Sequence, residues 1–325
     1  MSDEELGNAP ATPAATKTPL EDAPALRDPA AVGLLPTTGA AVGAVDSTAG
    51  VIWQENLRQL VRSPAFLIGA AILLWWIVCA LFGKAIAPYN PIVGSLTAFN
   101  QPPSGAHWFG TDALGRDVLS RVIVGARDIL IIAPLATLLG TALGTTIGLV
   151  QGYFRGRVDT FTGRLVEAAL ALPVVIVAFL FVAALGPSAP TLIIVIGLVF
   201  GLLISRTVRT AVLQERDLDY IAAARLRDES DLHIMFVEIL PNVFAPILVE
   251  FTVRLGYAIF TVATLSFLGF GIQPPTPDWG ADIANSYQYL GAGYWWEVLF
   301  PALAIASLVV SINLIADSIE AVVIQ

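Results

Sequence analysis

The chain has 325 residues, of which 56% are hydrophobic and 13% are charged, and its mean hydropathy is +0.75. Soluble globular proteins carry about 45–50% apolar and about 25% charged residues. The charged side chains of this protein are too few to cover a soluble surface. The composition therefore predicts a polytopic membrane protein and argues against a soluble enzyme.

The net charge of −9 is concentrated at the N-terminus. Residues 1–50 are acidic and rich in Ala, Pro, Thr and Gly, and their apolar residues follow neither the helical nor the strand period. This pattern predicts a disordered cytosolic tail. Residues 51–64 follow, with apolar side chains at helical spacing and with Arg58 and Arg62 near a membrane edge. They predict an interfacial amphipathic helix.

Six stretches within residues 65–325 come close to the length of about 20 apolar residues that a transmembrane helix needs. Pro173 lies inside the third of them and should bend it or mark a helix end. The fourth is the shortest. They run over about 66–87, 129–153, 165–185, 191–205, 242–270 and 296–322.

The basic residues near the ends of these six spans predict the orientation. Most of them lie on the side that carries the N-terminus, which the positive-inside rule assigns to the cytosol. Both termini are then cytosolic. The outer loops are predicted at about 88–128 and 271–295, the first with a surface helix that leads into the second span. The cytosolic loop at about 206–240 is long for a compact chain, and long ordered loops are usually functional.

The second half of the cytosolic loop reads DYIAAARLRDESDLHIMFVEILPN, residues 219–242. Three consecutive alanines, 222–224, are followed by a charged turn over 225–231 and a second helical run that ends near Pro241. This pattern predicts a short helix across the cytosolic ends of the bundle. Its small side chains allow close approach to another surface, either within the chain or on a partner.

Segment 219–242 resembles the signature loop of the membrane subunits of bacterial ABC importers. In that family the loop carries an EAA…G…LPN pattern, and its helix docks into a groove of the ATP-binding subunit. Four further stretches resemble the C-type permease of dipeptide and oligopeptide (and nickel) importers. They are FGTDALGRDVLSRVIVGAR (109–127), YFRGRVDTFTGRLVEAALALP (153–173), LSFLGFGIQPPTPDWG (265–280) and INLIADSIEAV (312–322).

The resemblance covers roughly residues 55–325 and implies an all-α inner-membrane protein of the type I importer permease kind. Two positions depart from the family pattern: its glutamate falls on Ala222, and its glycine falls on Asp228. Asp is among the few other residues that adopt a positive φ. The residues that the resemblance assigns to coupling with the ATPase are Asp219, Tyr220, Ala222, Ala223, Arg225, Asp228, Ser230 and Asp231.

Two charged side chains fall inside the fifth predicted span. Glu250 and Arg254 are four residues apart and so share one helical face. A charge at the bilayer centre costs at least about 2.5–3.5 kcal/mol on insertion scales. Three interpretations remain open: an internal ion pair that locks the helix, a pair that faces the translocation path, or a pair at a subunit interface.

A stripe of small residues marks the second predicted span. Gly140, Gly144 and Gly148 recur every four residues, which predicts a face for close helix packing. The partner helix is either one of the chain's own spans or a span of a second permease. The sequence pattern is compatible with both.

The sequence contains no GxxxxGK[ST] phosphate loop and no GxSxG or HExxH motif. We therefore predict no catalytic residue, no metal site and no bound cofactor in this chain, with ATP and Mg bound by partner subunits. The resemblance implies four partners: a homologous permease, two ATP-binding subunits and an extracytoplasmic peptide-binding protein. Together they would import dipeptides or oligopeptides across the bacterial inner (plasma) membrane.

Other functions remain open. The same architecture would serve another cargo, such as a nickel chelate, glutathione or haem, because the binding protein selects the cargo. A stand-alone secondary transporter needs intramembrane titratable sites, for which Glu250 and Arg254 are the only candidates. A membrane-embedded hydrolase would need a nucleophile and a base, and the sequence suggests no such pair.

Overall fold

The computed structural model describes residues 58–323. The predicted tail over 1–50 and most of the predicted interfacial helix over 51–64 lie outside the described residues. Of that helix, residues 58–62 are described and are helical. Within the described range the chain forms helices and no strand, and its one β-bridge joins Thr111 to Asp117. The all-α fold is confirmed.

Nine helices of eight or more residues lie within residues 64–323. Five of them, the first, second, fifth, seventh and ninth, are long and apolar enough to cross a membrane. They correspond to five of the six predicted spans. The helices are α1 (Pro64–Ile86), α2 (Val118–Phe154), α3 (Gly156–Leu170), α4 (Val174–Leu185), α5 (Ala189–Glu215), α6 (Asp219–Leu226), α7 (Phe244–Phe267), α8 (Trp279–Ser286) and α9 (Trp296–Val323).

The third predicted span is broken. Helices α3 and α4 meet at an angle of 83°, and Pro173 lies immediately before α4. Proline has no N–H to donate and disfavours a helical conformation in the residue before it. The predicted helix end at Pro173 is therefore confirmed. The number of spans is six if α3 and α4 are counted together as one bent membrane-crossing unit, and five otherwise.

Two predicted loops are shorter than the sequence suggested. The surface helix expected before the second span is continuous with it, because Asp117 caps α2 by accepting a hydrogen bond from the Ser120 N–H. The first outer loop therefore ends at Asp117 instead of near residue 128. At the other end of the bundle, α5 continues to Glu215. The first part of the predicted cytosolic loop is thus helical.

The glycine stripe of α2 packs against α5 of the same chain. A Cβ atom placed on Gly144 would lie 2.6 Å from the carbonyl oxygen of Gly201, and one on Gly140 would lie 3.0 Å from the carbonyl oxygen of Gly197. At Gly148 the nearest atom would be Cβ of Val208, 2.7 Å away. Backbones this close leave no room for a side chain. Of the two packing partners that the sequence left open, the chain's own helix is the observed one.

Residues 87–117 and 268–295 cover one end of the bundle, and we call them the polar cap. Two of the stretches that carry the family resemblance meet there. Trp279 is buried and its Nε1 donates to the carbonyl oxygen of Val122 over 2.9 Å. The guanidinium of Arg121 is buried against the carboxylate of Asp282. This ion pair joins Arg121, within the first predicted outer loop at about 88–128, to the second predicted outer loop.

Candidate coupling segment and intramembrane ion pair

Residues 216–243 connect α5 to α7 and contain all eight predicted coupling residues; we call them the coupling segment. Helix α6 is anchored by Ile221 and Ala224, which are completely buried. Its opposite face is exposed and consists of Ala222, Ala223 and Leu226, with 90% of Leu226 accessible. An exposed leucine beside two alanines forms a flat apolar surface that another helix or groove can approach closely.

Tyr153, the penultimate residue of α2, contacts three residues of the coupling segment. Its hydroxyl donates to Oδ1 of Asp231 over 2.6 Å, and the guanidinium carbons of Arg216 and Arg225 lie 5.8 and 5.5 Å from its ring centroid. Burial, reinforced by the neighbouring arginines, lowers the pKa of Arg216. The predicted residues Arg225 and Asp231 are thus brought together. Sequence analysis did not single out Tyr153, although it opens one of the stretches that carry the resemblance.

Tyr220 connects α6 to both neighbouring helical runs. Its hydroxyl donates to Oε2 of Glu215 over 2.8 Å and accepts from Nδ2 of Asn242 over 3.2 Å. Burial, together with the hydrogen bond to Glu215, raises the pKa of Tyr220 to about 12. The phenol is therefore protonated at neutral pH and remains a donor. Asn242 is the last residue of the LPN motif, so this contact joins the two ends of the signature loop.

The turn after α6 contains the remaining predicted residues. Asp228 has a φ of +57°, which is the conformation that the family's glycine would adopt more easily. Ser230 caps the next helical turn by accepting from the His233 N–H over 3.3 Å. Asp219 is exposed in the first turn of α6, where a carboxylate interacts favourably with the helix dipole.

A π-helical turn over Ile234–Ile239 follows, and sequence analysis did not predict it. The N–H of Leu240 reaches back five residues to the carbonyl oxygen of Met235. Pro241 is the one available signal, because its ring would clash with the carbonyl four residues earlier in a regular α-helix. Ile234, Met235 and Ile239 are buried, so the turn anchors the segment on the bundle. Segments of π-helix are frequent at functional sites.

Glu229, His233 and Glu238 place one ligand atom each within 4.8 Å of one another. Arg227 already donates to both carboxylates, over 2.7 Å to Glu229 and 3.2 Å to Glu238. The hydrogen bond to Glu229, together with the negative charges of Glu229 and Glu238, raises the pKa of Arg227. The group is therefore explained as an ion-pair network, and no metal is needed to neutralise its acids.

Glu250 and Arg254 contact each other on α7. Nε of Arg254 donates to Oε1 of Glu250 over 2.6 Å, and both side chains are largely buried. The guanidinium also lies 5.7 Å from the ring centroid of Tyr257. Of the three interpretations that the sequence left open, this geometry agrees with an ion pair satisfied within one helix.

A family model described as "Binding-protein-dependent transport system inner membrane component" matches residues 144–325. The chain belongs to this family. A second family model, the "N-terminal TM domain of oligopeptide transport permease C", matches residues 52–103. The protein is thus an ABC-transporter permease and a multi-pass membrane protein, as the resemblance in its sequence implied.

Curated relatives align over nearly the whole described part of the permease. The dipeptide transport system permease protein DppC of Bacillus subtilis is 34% identical over 82% of this chain and 83% of its own length. The di/tripeptide transport system permease protein DppC of Pseudomonas aeruginosa is 38% identical over 82% and 90%. A putative peptide transport system permease protein of Brucella suis is 39% identical over 81% and 88%.

Proposed function

We propose that the permease forms the translocation path of an ATP-driven importer of dipeptides or oligopeptides. It would pair with a homologous permease, two ATP-binding subunits and an extracytoplasmic substrate-binding protein. The names of its relatives, which refer to dipeptide, di/tripeptide and peptide transport, support this class of cargo. Both termini and the coupling segment would then face the cytosol, in agreement with the distribution of basic residues.

The observation that carries the proposal is the exposed face of α6. Ala222, Ala223 and Leu226 project from a helix that is anchored by buried Ile221 and Ala224. The helix lies outside the five apolar spans, so its exposed leucine is not part of a membrane-crossing helix. A groove on an ATP-binding subunit would cover this face and receive the small side chains.

The buried anchors of the segment would let it transmit a movement. When ATP closes the two ATPase subunits, α6 would be carried with its groove. The contacts of Tyr153 with Asp231 and Arg225 would then pass the displacement to α2. Such a displacement biases a two-state equilibrium between inward-facing and outward-facing bundles.

The permease itself would contribute no catalytic group, and ATP and Mg²⁺ would be bound by the partner subunits. The pairing of Glu250 with Arg254 supports this division of work. Both charges are neutralised within α7, whereas a stand-alone secondary transporter needs a titratable site that exchanges its ion during transport.

Replacing Ala223 with arginine tests the docking role. The bulky cation should prevent close approach, so peptide uptake into proteoliposomes should fall at least about tenfold while ATPase activity becomes insensitive to substrate. Ala106→Arg is the matched control, because Ala106 is exposed in the polar cap at the opposite end. Normal uptake by the Ala223→Arg complex would rule out this face as the docking surface.

An affinity pull-down from detergent-solubilised membranes, followed by mass spectrometry, tests the assembly. We expect a second six-span permease, ATP-binding subunits and a substrate-binding protein to copurify with this chain. Recovery of the chain alone, under conditions that keep comparable complexes intact, would contradict the proposal and favour a self-sufficient transporter.

A further inference from the structure

A polar cavity of about 400 Å³ opens between the C-terminal end of α2, helix α3 and the second half of α5. It is separate from the coupling segment and from the Glu250–Arg254 pair, and nothing in the proposed function uses it. Its lining consists mainly of charged and amide side chains. The principal ones are Gln151, Asp159, Arg164, Glu167, Arg206 and Arg209.

The charges in this lining do not balance. Arg209 is engaged, since its Nε and Nη2 donate to the two oxygens of Asp159 over 2.6 and 2.7 Å. The side chains of Arg164 and Arg206 also line the cavity and are exposed, and neither takes part in the ion pairs formed within residues 58–323. Glu167 offsets only one of them. The cavity therefore has one net positive charge and two guanidinium forks free to bind an anion.

An unpartnered donor provides a second, independent observation. Gln151 is only 2% exposed, and its Nε2 is buried without a hydrogen-bond partner among the described residues. Buried amide N–H groups are rarely left unpaired in native proteins. An oxygen atom of a ligand in the cavity would accept this hydrogen bond. Guanidinium and amide N–H groups are the kind of donors that bind phosphate oxygens.

The cavity lies beside an apolar surface. Thr160, Arg164 and Glu167 line the cavity from one face of α3. On an adjacent face of the same helix Phe161 and Leu165 are 72% and 63% exposed. A ligand that occupies both surfaces is amphipathic, with an anionic head and an apolar body. Basic pockets between transmembrane helices are known to bind the headgroups of anionic lipids.

We propose that this cavity binds a phosphate group, supplied by the headgroup of an anionic phospholipid whose acyl chains pack against Phe161 and Leu165. The phosphate oxygens accept hydrogen bonds from Arg164, Arg206 and Gln151. The lipid would fix α3 against α2 and α5, next to the bend between α3 and α4. This binding does not depend on which cargo the permease carries.

Thermal unfolding of the purified full-length permease in a non-ionic detergent tests the site. Samples receive phosphatidylglycerol, phosphatidylcholine or inorganic phosphate. We expect phosphatidylglycerol to raise the unfolding temperature and phosphatidylcholine to leave it unchanged. Stabilisation by phosphatidylglycerol alone identifies a lipid phosphate, whereas equal stabilisation by inorganic phosphate supports the phosphate site and overturns the lipid source.

Variants locate the effect in the cavity. The double variant Arg164→Gln/Arg206→Gln should lower the affinity for phosphatidylglycerol about fivefold for each arginine removed. Gln151→Leu should also weaken binding. Arg157→Gln is the matched control, because Arg157 is exposed at the start of α3 but does not line the cavity. It should retain the affinity of the wild type.

The charge-conserving variant Arg164→Lys/Arg206→Lys keeps the test decisive if the glutamine variant fails to fold. Lysine retains the attraction to a phosphate but loses the two-pronged hydrogen bonding, so intermediate affinity is expected. Three results would overturn the proposal: no stabilisation by phosphatidylglycerol or phosphate, equal stabilisation by phosphatidylcholine, or unchanged affinity in both double variants.

Discussion

Ion pairs lie at both ends of the helix bundle, and their surroundings differ. Where the polar cap meets α2, the side chains of Arg121 and Asp282 are 6% and 10% exposed. At the end that carries the coupling segment, those of Arg155 and Asp217 are 42% and 60% exposed. Water can replace either partner of the exposed pair, whereas it has little access to a partner left behind in the buried pair. Removing one partner of an ion pair should therefore lower the free energy of unfolding more at the cap than at the coupling segment.

The two ends also differ in what they leave uncovered. The cap is joined to the helices by two buried indoles: Trp279 in the cap donates to the carbonyl oxygen of Val122 in α2, and Trp296 in α9 donates to that of Thr111 in the cap. The coupling segment is anchored by a few buried residues and presents Leu226 outward. Under the proposed function, the open end with its apolar face would receive the ATP-binding subunit, and the closed end would not take part in that contact. The predictions below test this difference.

The largest effect is expected for Asp282→Ala in the cap. Removing one partner of a buried ion pair leaves an uncompensated charge and costs about 3–5 kcal/mol. The matched change at the other end, Asp217→Ala, should cost about 0–1 kcal/mol because the Arg155–Asp217 pair is exposed. Thermal unfolding in detergent measures both. Equal losses at the two ends would contradict the comparison.

The interface between α2 and α5 should not tolerate a methyl group on its glycine stripe, whereas a glycine of α3 outside that interface should. Gly144→Ala places Cβ 2.6 Å from the carbonyl oxygen of Gly201, and such overpacking typically costs about 1–3 kcal/mol. At Gly163 in α3 an added Cβ meets no atom within 4 Å. Gly163→Ala should therefore stabilise the protein by about 0.5–1 kcal/mol. A lower unfolding temperature for Gly144→Ala and a higher one for Gly163→Ala would confirm the packing.

Tyr220→Phe should remove part of the alkaline sensitivity of the coupling segment. The pKa of Tyr220 rises from its ordinary value of 10 to about 12, so the folded protein retains a proton that the unfolded chain releases. Its contribution to stability is complete below pH 10 and is lost as the pH rises toward 12.

Urea unfolding of Tyr220→Phe at pH 8 and pH 11 checks this prediction. At pH 8 the variant should lose about 0.5–1.5 kcal/mol, because it lacks the hydrogen bond to Glu215. Between pH 8 and 11 it should lose less stability than the wild type. An identical pH dependence in both proteins would show that the hydroxyl is not held by its neighbours.

Asp228→Gly should give the smallest effect. Its φ of +57° is strained for most L-residues, though Asp is among those that tolerate it. Glycine should relieve up to about 1 kcal/mol there, whereas Asp217→Gly, at an exposed position outside this turn, should not stabilise the protein. Hydrogen exchange of the coupling segment measures the difference. Faster hydrogen exchange in Asp228→Gly would show that the backbone at Asp228 is not strained.

The sequence predicts those helices that are long and apolar enough to cross a lipid bilayer. Long apolar stretches located α1, α2, α5, α7 and α9, because each must satisfy its own backbone hydrogen bonds in a bilayer. The break at Pro173 was also predictable, since proline acts through local geometry. The positive φ at Asp228 agrees with the glycine that the family carries there. These features depend on properties within a few residues along the chain.

Contacts between distant residues could not be predicted in this way. The pairing of Arg121 with Asp282 and the bond from Tyr153 to Asp231 join residues far apart in the sequence. The glycine stripe was visible as a pattern, but its partner α5 was not. The π-helical turn before Pro241 forms because the proline ring does not fit a regular α-helix while Ile234, Met235 and Ile239 are held in the core.

The sequence by itself determined that this is an all-helical membrane protein with the signature loop of an importer permease. Composition, apolar length and local motifs carry that information because the bilayer imposes it residue by residue. Tertiary structure alone decided which charges are buried in pairs, which face of α6 is exposed and where a cavity remains between α2, α3 and α5. Those properties follow from packing, which depends on the relative positions of all the helices at once.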